Sequence, residues 1–284
     1  LAGGLMRTLV LGGTGFIGSP LVTVLSERGV DVVTLGRAAS ADVVLDVLDP
    51  EALAAYLRRE PFDVVVNLAG AGLATESVGL HVMQEVNALL PARALSVLLD
   101  LPTPPAFVHA ASSTERQRDD EPHESEYSRT KHDGAQAVRA LAADATTPVV
   151  LARIHNTYGP DQPRTRFVAG TIGELAAGRP VRLNYPGRVR DFVLVDDVAR
   201  SIADVVISPV SAPREVELGT GVGTALRDLA LTVARLLGRP ASLVESAGLA
   251  VADPHPYAVA QQPGGTLGTC RTTLDEGLAR TLRE

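Results

Sequence analysis

The chain has 284 residues, 45% of them hydrophobic, and a formal net charge of −7; that is enough for a substantial core in one large domain or two unequal ones. The acidic balance, with no run of Lys or Arg, excludes the basic patch that a nucleic-acid partner requires. No stretch approaches the roughly 20 apolar residues of a membrane span, and the single cysteine, Cys270, rules out an intrachain disulfide and suits a reducing, cytoplasmic setting.

The opening residues LAGGLMR lack the long apolar centre of a secretory leader. Met6 fits a natural start, with Leu1 to Leu5 as upstream sequence. Strand-length apolar runs then alternate with helix-length amphipathic segments. The pattern predicts a strand over Arg7–Gly12 and a helix from about Gly15 to Arg28, closed by Gly29. A second strand follows at Asp31–Gly36 and a short third at Asp42–Val47. Pro50 opens a helix, EALAAYLRRE, at the position proline prefers. The fourth strand covers Phe62–Gly70, and a long helical stretch then runs to Asp100, with Pro91 inside it predicting a kink or break. Ala106–Ser113 is the fifth strand, Tyr127 to about Ala143 a helix, and Thr147–Ile154 the sixth strand. Strands apolar on both faces belong to a parallel sheet covered on each side. The βαβ rhythm therefore specifies an α/β fold with a doubly wound parallel sheet of the Rossmann kind.

Beyond about Gly159 the rhythm changes. RFVAGTIGELAAG is helical, VRDFVLV strand-like, DDVARSIADVVIS helical, EVELGT a short strand, and ALRDLALTVARLLG a strongly periodic helix. The Pro- and Gly-rich stretch from Ser246 to Gly268 is expected to be irregular. The chain thus divides into a dinucleotide-binding domain over 1–160 and a smaller, mainly substrate-binding C-terminal region over 161–284, with segments near 188–220 returning to the first.

GGTGFIG places Gly12, Gly15 and Gly18 in a G-x-x-G-x-x-G spacing, with Phe16 and Ile17 between the last two. It follows a strand and opens a helix, so free N–H groups and the positive end of the helix dipole can meet a pyrophosphate. An acidic residue at the end of the second strand usually holds the ribose 2′-hydroxyl of NAD. This strand ends Leu35, Gly36, Arg37 instead. Arginine there matches a 2′-phosphate and can stack on adenine, or it is a solvent-facing loop residue. NADP(H) is therefore favoured as cofactor, with NAD(H) left open.

Tyr127 and Lys131 stand four apart in YSRTK, on one face of a helix. Ser112 closes the fifth strand, at the sheet edge where such folds bind ligands. A tyrosine with a pKa near 10 is a poor acid or base at neutral pH. A neighbouring ammonium is expected to lower that pKa, and a hydroxyl to orient the substrate oxygen. The six histidines (His81, His109, His123, His132, His155, His255) show no metal-ligand spacing, so no metal is expected. The acidic run from Asp119 to Glu126 reads as a solvated loop or a cover over the site. Asp196 and Asp197 read as caps of the helix that follows, and Cys270 as structural.

The ordered set GGTGFIG, DVLDPEAL, NLAG, Asn87, HAASST, YSRTK, NTYGP and RDFVLVDDVA resembles the extended short-chain dehydrogenase/reductase family, the group holding sugar-nucleotide epimerases, dehydratases and reductases. The likeness covers almost the whole length. It implies that Asp46 and Val47 contact adenine and that Leu68, Ala69 and Gly70 line the cofactor's passage. Ser112 would hydrogen-bond the reacting oxygen, Tyr127 would be its acid or base, and Lys131 would hold the nicotinamide ribose. Asn87 would support the Lys131 neighbourhood. Ser113, Asn156 and Arg190 fall where relatives touch the substrate, Arg190 on its diphosphate. Turn, cap or helix-surface roles remain the alternatives for Asp46, Asn87 and Asn156.

Sugar dehydratases of the family carry an Asp-Glu pair directly after the hydroxyl residue; here Ser113 and Thr114 intervene and Glu115 comes one place late. Arg37 tilts the choice towards an NADPH-dependent ketoreductase acting on a nucleotide-activated keto-(deoxy)sugar. An NAD-dependent 4-epimerase is the alternative, and a non-catalytic dinucleotide-binding regulator the second. The loop between Ser112 and Tyr127 is shorter than usual, His155 stands where relatives commonly have an aromatic residue, and the C-terminal section departs from the family's ending. A homodimer is an expectation from the resemblance alone.

Overall fold

The computed structural model describes residues 5–72, 78–115, 125–209, 214–247, 259–261 and 270–283. Most of the acidic run from Asp119 and most of the stretch from Ser246 to Gly268 lie outside these residues. The first half folds as β1 (Arg7–Leu11), α1 (Gly18–Glu27), β2 (Asp31–Gly36), β3 (Val43–Val44), α2 (Pro50–Arg59) and β4 (Val64–Asn67). Helices α3 (Leu80–Met83) and α4 (Leu90–Leu99), strand β5 (Ala106–Ser112), α5 (Glu126–Ala142) and β6 (Val149–Ile154) follow. The second half contributes β7 (Asn156–Tyr158), α6 (Phe167–Ala176), β8 (Val181–Leu183), β9 (Val189–Leu194) and α7 (Val195–Ile207). It ends with β10 (Glu215–Leu218), β11 (Gly223–Ala225), α8 (Leu226–Leu236), β12 (Val244–Ser246) and α9 (Leu274–Thr281).

The main sheet has seven strands in the order β10-β6-β5-β4-β1-β2-β3, every pair parallel. Its central strands β4, β5 and β6 are buried throughout. One face packs on α1 and α7 through Leu21, Leu25, Val198 and Ile202. The other packs on α2, α4 and α5 through Leu53, Leu95, Ala135 and Val138. A third core, around Tyr158, Phe192, Leu229 and Leu278, belongs to the C-terminal half. There β7, β9 and β11 form a small sheet of their own, and β8 pairs with β12. Residues 215–218 join the main sheet and α7 packs on it, whereas β9 pairs in the small sheet and sends only Val193 into the core beneath α1 and α7. The third strand is only two residues long, because Asp42 turns back to cap Thr34, with Oδ2 accepting from the Thr34 N–H at 2.9 Å and hydroxyl at 2.7 Å.

The helical stretch before Asp100 is interrupted as Pro91 predicts, by a π-helical segment, Gln84–Leu89, between α3 and α4. Proline has no N–H to donate and its ring crowds the carbonyl four residues back, here that of Asn87. A wider turn relieves both problems. The carbonyl of Asn87 then faces α5 at Gly134, where an added Cβ would stand 2.0 Å from that oxygen. Helix α5 can approach this closely only because residue 134 has no side chain.

Candidate active site

At the carboxyl ends of the parallel strands lies a cleft of about 730 Å³. The glycine turn, the tips of β2, β4, β5 and β6, one face of α5 and the start of α6 surround it. Gly12, Gly15, Phe16, Ile17, Gly18, Arg37, Asp46, Val47, Leu68, Ala69 and Gly70 all line it, as do Ser112, Ser113, Tyr127, Lys131 and Asn156.

The turn is tight for a physical reason. Gly12 has φ +79°, its N–H donates to the Leu35 carbonyl at 2.9 Å, and its own carbonyl accepts from Gly15 N–H at 3.0 Å. A Cβ on Gly18 would sit 2.2 Å from the Gly12 oxygen and under 3 Å from Gly13 backbone. Helix α1 starts here with no side-chain cap, so its first amides point outward without a side-chain acceptor. Those amides and this steric economy fit a dinucleotide's pyrophosphate. Towards the adenine end, Arg37 and Asp46 are exposed, and Asp46 Oδ1 accepts from Leu48 N–H at 3.0 Å. Hydrogen bonds from Thr34 hold the Asp42 carboxyl below its usual range, so that carboxylate is already engaged by β2.

Ser112 ends β5 opposite Ile154 of β6. Tyr127 and Lys131 occupy the first turns of α5, which Ser125 caps by accepting from Ser128 N–H at 3.2 Å. Lys131 is buried and its Nζ donates to the Ala110 carbonyl at 2.6 Å. Burial pulls its pKa down to about 8, with Glu115 acting the other way. Burial pushes the Tyr127 phenol up to about 12; a hydrogen bond with Ser112 and then the Arg166 charge draw it back, while Glu115 adds to the rise. This corrects the expectation that Lys131 would lower the phenol. Its ammonium is directed at a backbone carbonyl, and desolvation outweighs the groups that favour phenolate.

Two of the expected residues stand outside the lining. Asn87 is fully buried behind the cleft wall. Its Oδ1 accepts from Ala71 N–H at 2.9 Å, and its Nδ2 donates to the Ala71 carbonyl at 2.9 Å and to Thr130 Oγ1 at 3.1 Å. It braces the segment after β4 against α5, next to Lys131, and is neither a helix-surface residue nor part of the lining. Arg190 lies on β9 opposite Thr224 of β11, outside the lining residues, with Nη1 donating to the Val189 carbonyl at 2.6 Å. The small antiparallel pair fixes it there.

The cleft also gathers Gln162 and Arg166, which no motif announced, beside Thr114 of HAASST and His155. Arg166 comes from the residue preceding α6, and only tertiary folding brings it opposite Tyr127. Glu115 is 2% exposed and outside the lining, its carboxylate gripped by Arg153 and Arg139. Cys270 is buried, its Sγ 3.3 Å from Ser201 Oγ, and burial pushes its thiol up to about 11, as suits a structural cysteine. Among the described residues no cluster of three His, Cys, Asp or Glu could hold a metal, and no helix is long and apolar enough to cross a membrane.

Comparison with known proteins agrees with this geometry. The chain is 31% identical over 266 residues to a Kitasatospora kifunensis protein, dTDP-6-deoxy-L-talose 4-dehydrogenase (NAD(P)(+)), covering 84% of this chain and 81% of that one. It is 31% identical over 260 residues to the ADP-L-glycero-D-manno-heptose-6-epimerase of Pseudomonas paraeruginosa, covering 80% and 77%. The crystal structure of Thermus thermophilus UDP-glucose 4-epimerase complexed with NAD superposes with a TM-score of 0.79 at 25% identity, covering 98% of both chains. The model of the NAD-dependent epimerase/dehydratase family matches residues 8–219, and with the nucleotide-binding sheet and the cleft already described, the chain belongs to that family.

Proposed function

We propose that the protein is an NADP(H)-preferring oxidoreductase that interconverts a hydroxyl and a keto group on a nucleotide-activated deoxysugar, working as a ketoreductase. The observation that carries this reading is the convergence of Ser112, Tyr127 and Lys131 on the cleft that the glycine turn opens into. When bound, the nicotinamide supplies or accepts hydride. The Ser112 hydroxyl orients the sugar oxygen, and the Tyr127 phenol, protonated throughout the neutral range, gives that oxygen its proton. Lys131, fixed on Ala110, presents its ammonium to the ribose side of the cleft. The deoxysugar class rests on the likeness to the talose 4-dehydrogenase.

Two observations favour this over the other chemistries of the family. Glu115 faces Arg153 and not the cleft, so no acid follows Ser112 in the place that elimination of water would use. Arg37 stands in the cleft at the tip of β2, suited to a 2′-phosphate. The assay offers dTDP-6-deoxy-L-talose with NADP⁺ or NAD⁺, and UDP-glucose with NAD⁺, following nicotinamide absorbance and the sugar products. Oxidation of the talose sugar with NADP⁺ preferred, lost in Tyr127→Phe while NADPH still binds, is the expected result. Epimer formation with no net change in the nicotinamide would favour the 4-epimerase. Unchanged turnover in Tyr127→Phe would remove the phenol from the mechanism.

A further inference from the structure

Beneath the cleft lies a charged cluster that the reaction chemistry does not use. Glu115 follows Ser112 by one turn of 3-10 helix, Ser113–Glu115. Its Oε1 accepts from Arg153 Nε and Nη2 at 3.1 and 2.8 Å, and from Arg139 Nη2 at 3.2 Å. Its Oε2 accepts from the Ser112 N–H at 3.3 Å. Arg153, on β6, also donates to Glu215 of β10 at 3.0 Å. The carboxylate is thus anchored by cations from the sheet and from α5, and it reaches back to the residue whose hydroxyl serves the cleft.

The rest of the turn is tied in the same way. Thr114 N–H lies 3.3 Å from Ser112 Oγ, and the Thr114 and Ser112 hydroxyls are 2.9 Å apart. Ser128 Oγ donates to the Thr114 carbonyl at 2.5 Å, and His132 Nδ1 is 3.0 Å from the Glu115 carbonyl. Ser128 and His132 flank Tyr127 and Lys131 on α5, so these bonds lock the Ser112 turn to the helix that carries the phenol. Buried ion pairs add little net stability, because desolvation offsets their attraction. What this one does is fix geometry.

We propose that Glu115 is a positioning residue: held by Arg153 and Arg139, it fixes the Ser112 turn and so sets where the Ser112 hydroxyl stands relative to Tyr127. The inference rests on the reading that Ser112 touches the reacting oxygen. Glu115→Asp keeps the charge but withdraws the carboxylate by one methylene, too far to grip both arginines and the Ser112 N–H.

The test is a double-mutant cycle of Glu115→Asp with Ser112→Ala, read as kcat with dTDP-6-deoxy-L-talose and NADP⁺ alongside NADPH Kd. A misplacement of about 1 Å costs on the order of a hundredfold, so Glu115→Asp should lower kcat by about 10–100-fold with Kd unchanged. In the Ser112→Ala background the same change should move kcat less than about twofold, because the hydroxyl it positions is gone. An equal loss in both backgrounds, or wild-type kcat in Glu115→Asp, overturns the proposal. If Glu115→Asp gives no cooperative melt, Glu115→Gln, which keeps the length and an acceptor oxygen, enters the same cycle under the same criteria. Full turnover in Ser112→Ala alone, or none in the wild type, overturns the underlying reading of the site instead.

Discussion

Gly18→Ala offers the sharpest probe of the glycine turn. The added methyl would stand 2.2 Å from the Gly12 carbonyl oxygen, 2.7 Å from Gly13 Cα and 2.8 Å from the Gly13 carbonyl carbon. All three are backbone atoms in a turn already closed by the Gly15 and Leu35 hydrogen bonds. Restoring ordinary contact means moving the turn and the start of α1 apart by about 1 Å, an overpacking cost of about 1–3 kcal/mol. The same shift misaligns the amides assigned to the pyrophosphate. A hydrogen bond to a charged group contributes about 1.5–3 kcal/mol, so losing one such contact weakens cofactor binding by roughly 10–100-fold. The assay is NADPH fluorescence titration beside a thermal melt. Gly29→Ala is the control: Gly29 has φ +77° with nothing within 4 Å of an added Cβ, so the change should lower stability through backbone strain alone and leave Kd unchanged. A Gly18→Ala protein that melts lower but binds NADPH within twofold of wild type would refute the assignment of this turn to the cofactor.

Three further outcomes follow from the cleft. Tyr127 stays protonated until about pH 12 and Lys131 keeps its ammonium only below about pH 8. Reduction of a keto-sugar should therefore hold level through neutral pH and fall as pH rises past about 8, while oxidation, which needs phenolate, should rise over that neutral range; a reduction rate climbing through pH 8 to 9 would contradict both assignments. Arg37→Ala should weaken NADPH binding by about tenfold, in line with one lost charged hydrogen bond, and leave NADH within about twofold, as titration of both cofactors will show. Asn87→Ala leaves the Ala71 N–H and carbonyl without their partner, while the Thr130 hydroxyl keeps its bond to the Tyr127 carbonyl; an unsatisfied buried group costs about 1–3 kcal/mol. Its melting temperature should drop clearly, and an unchanged melt would show that water replaces the amide.

The βαβ order, the glycine turn and the pairing of Tyr127 with Lys131 were readable because each depends on local periodicity or fixed spacing along one element. Pro91 likewise announced a break, although only the structure shows that it takes the form of a π segment that turns the Asn87 carbonyl towards Gly134 of α5. β9 was readable as a strand, but its pairing with β7 and β11 was not, because that small sheet is held by the third core more than by local propensity. Helix α9 was missed although Thr273 and Glu276 form a capping box at its start. Arg166 and Arg190 show the same limit from opposite sides. Both are arginines of the C-terminal half, and the family resemblance put Arg190 at the substrate. The tertiary fold instead seats Arg190 on a β-ribbon and brings Arg166, which no motif marks, to the cleft.

The sequence by itself determined the sheet, the glycine turn and the Ser112, Tyr127 and Lys131 set that the proposed chemistry uses, since these are carried by short motifs along the chain. Only the tertiary structure decided the electrical state of those groups. Desolvation of Tyr127, the Ala110 carbonyl facing Lys131, and the Glu115–Arg153 contact across 38 residues all arise where distant segments meet, and proximity in space has no signature in local spacing.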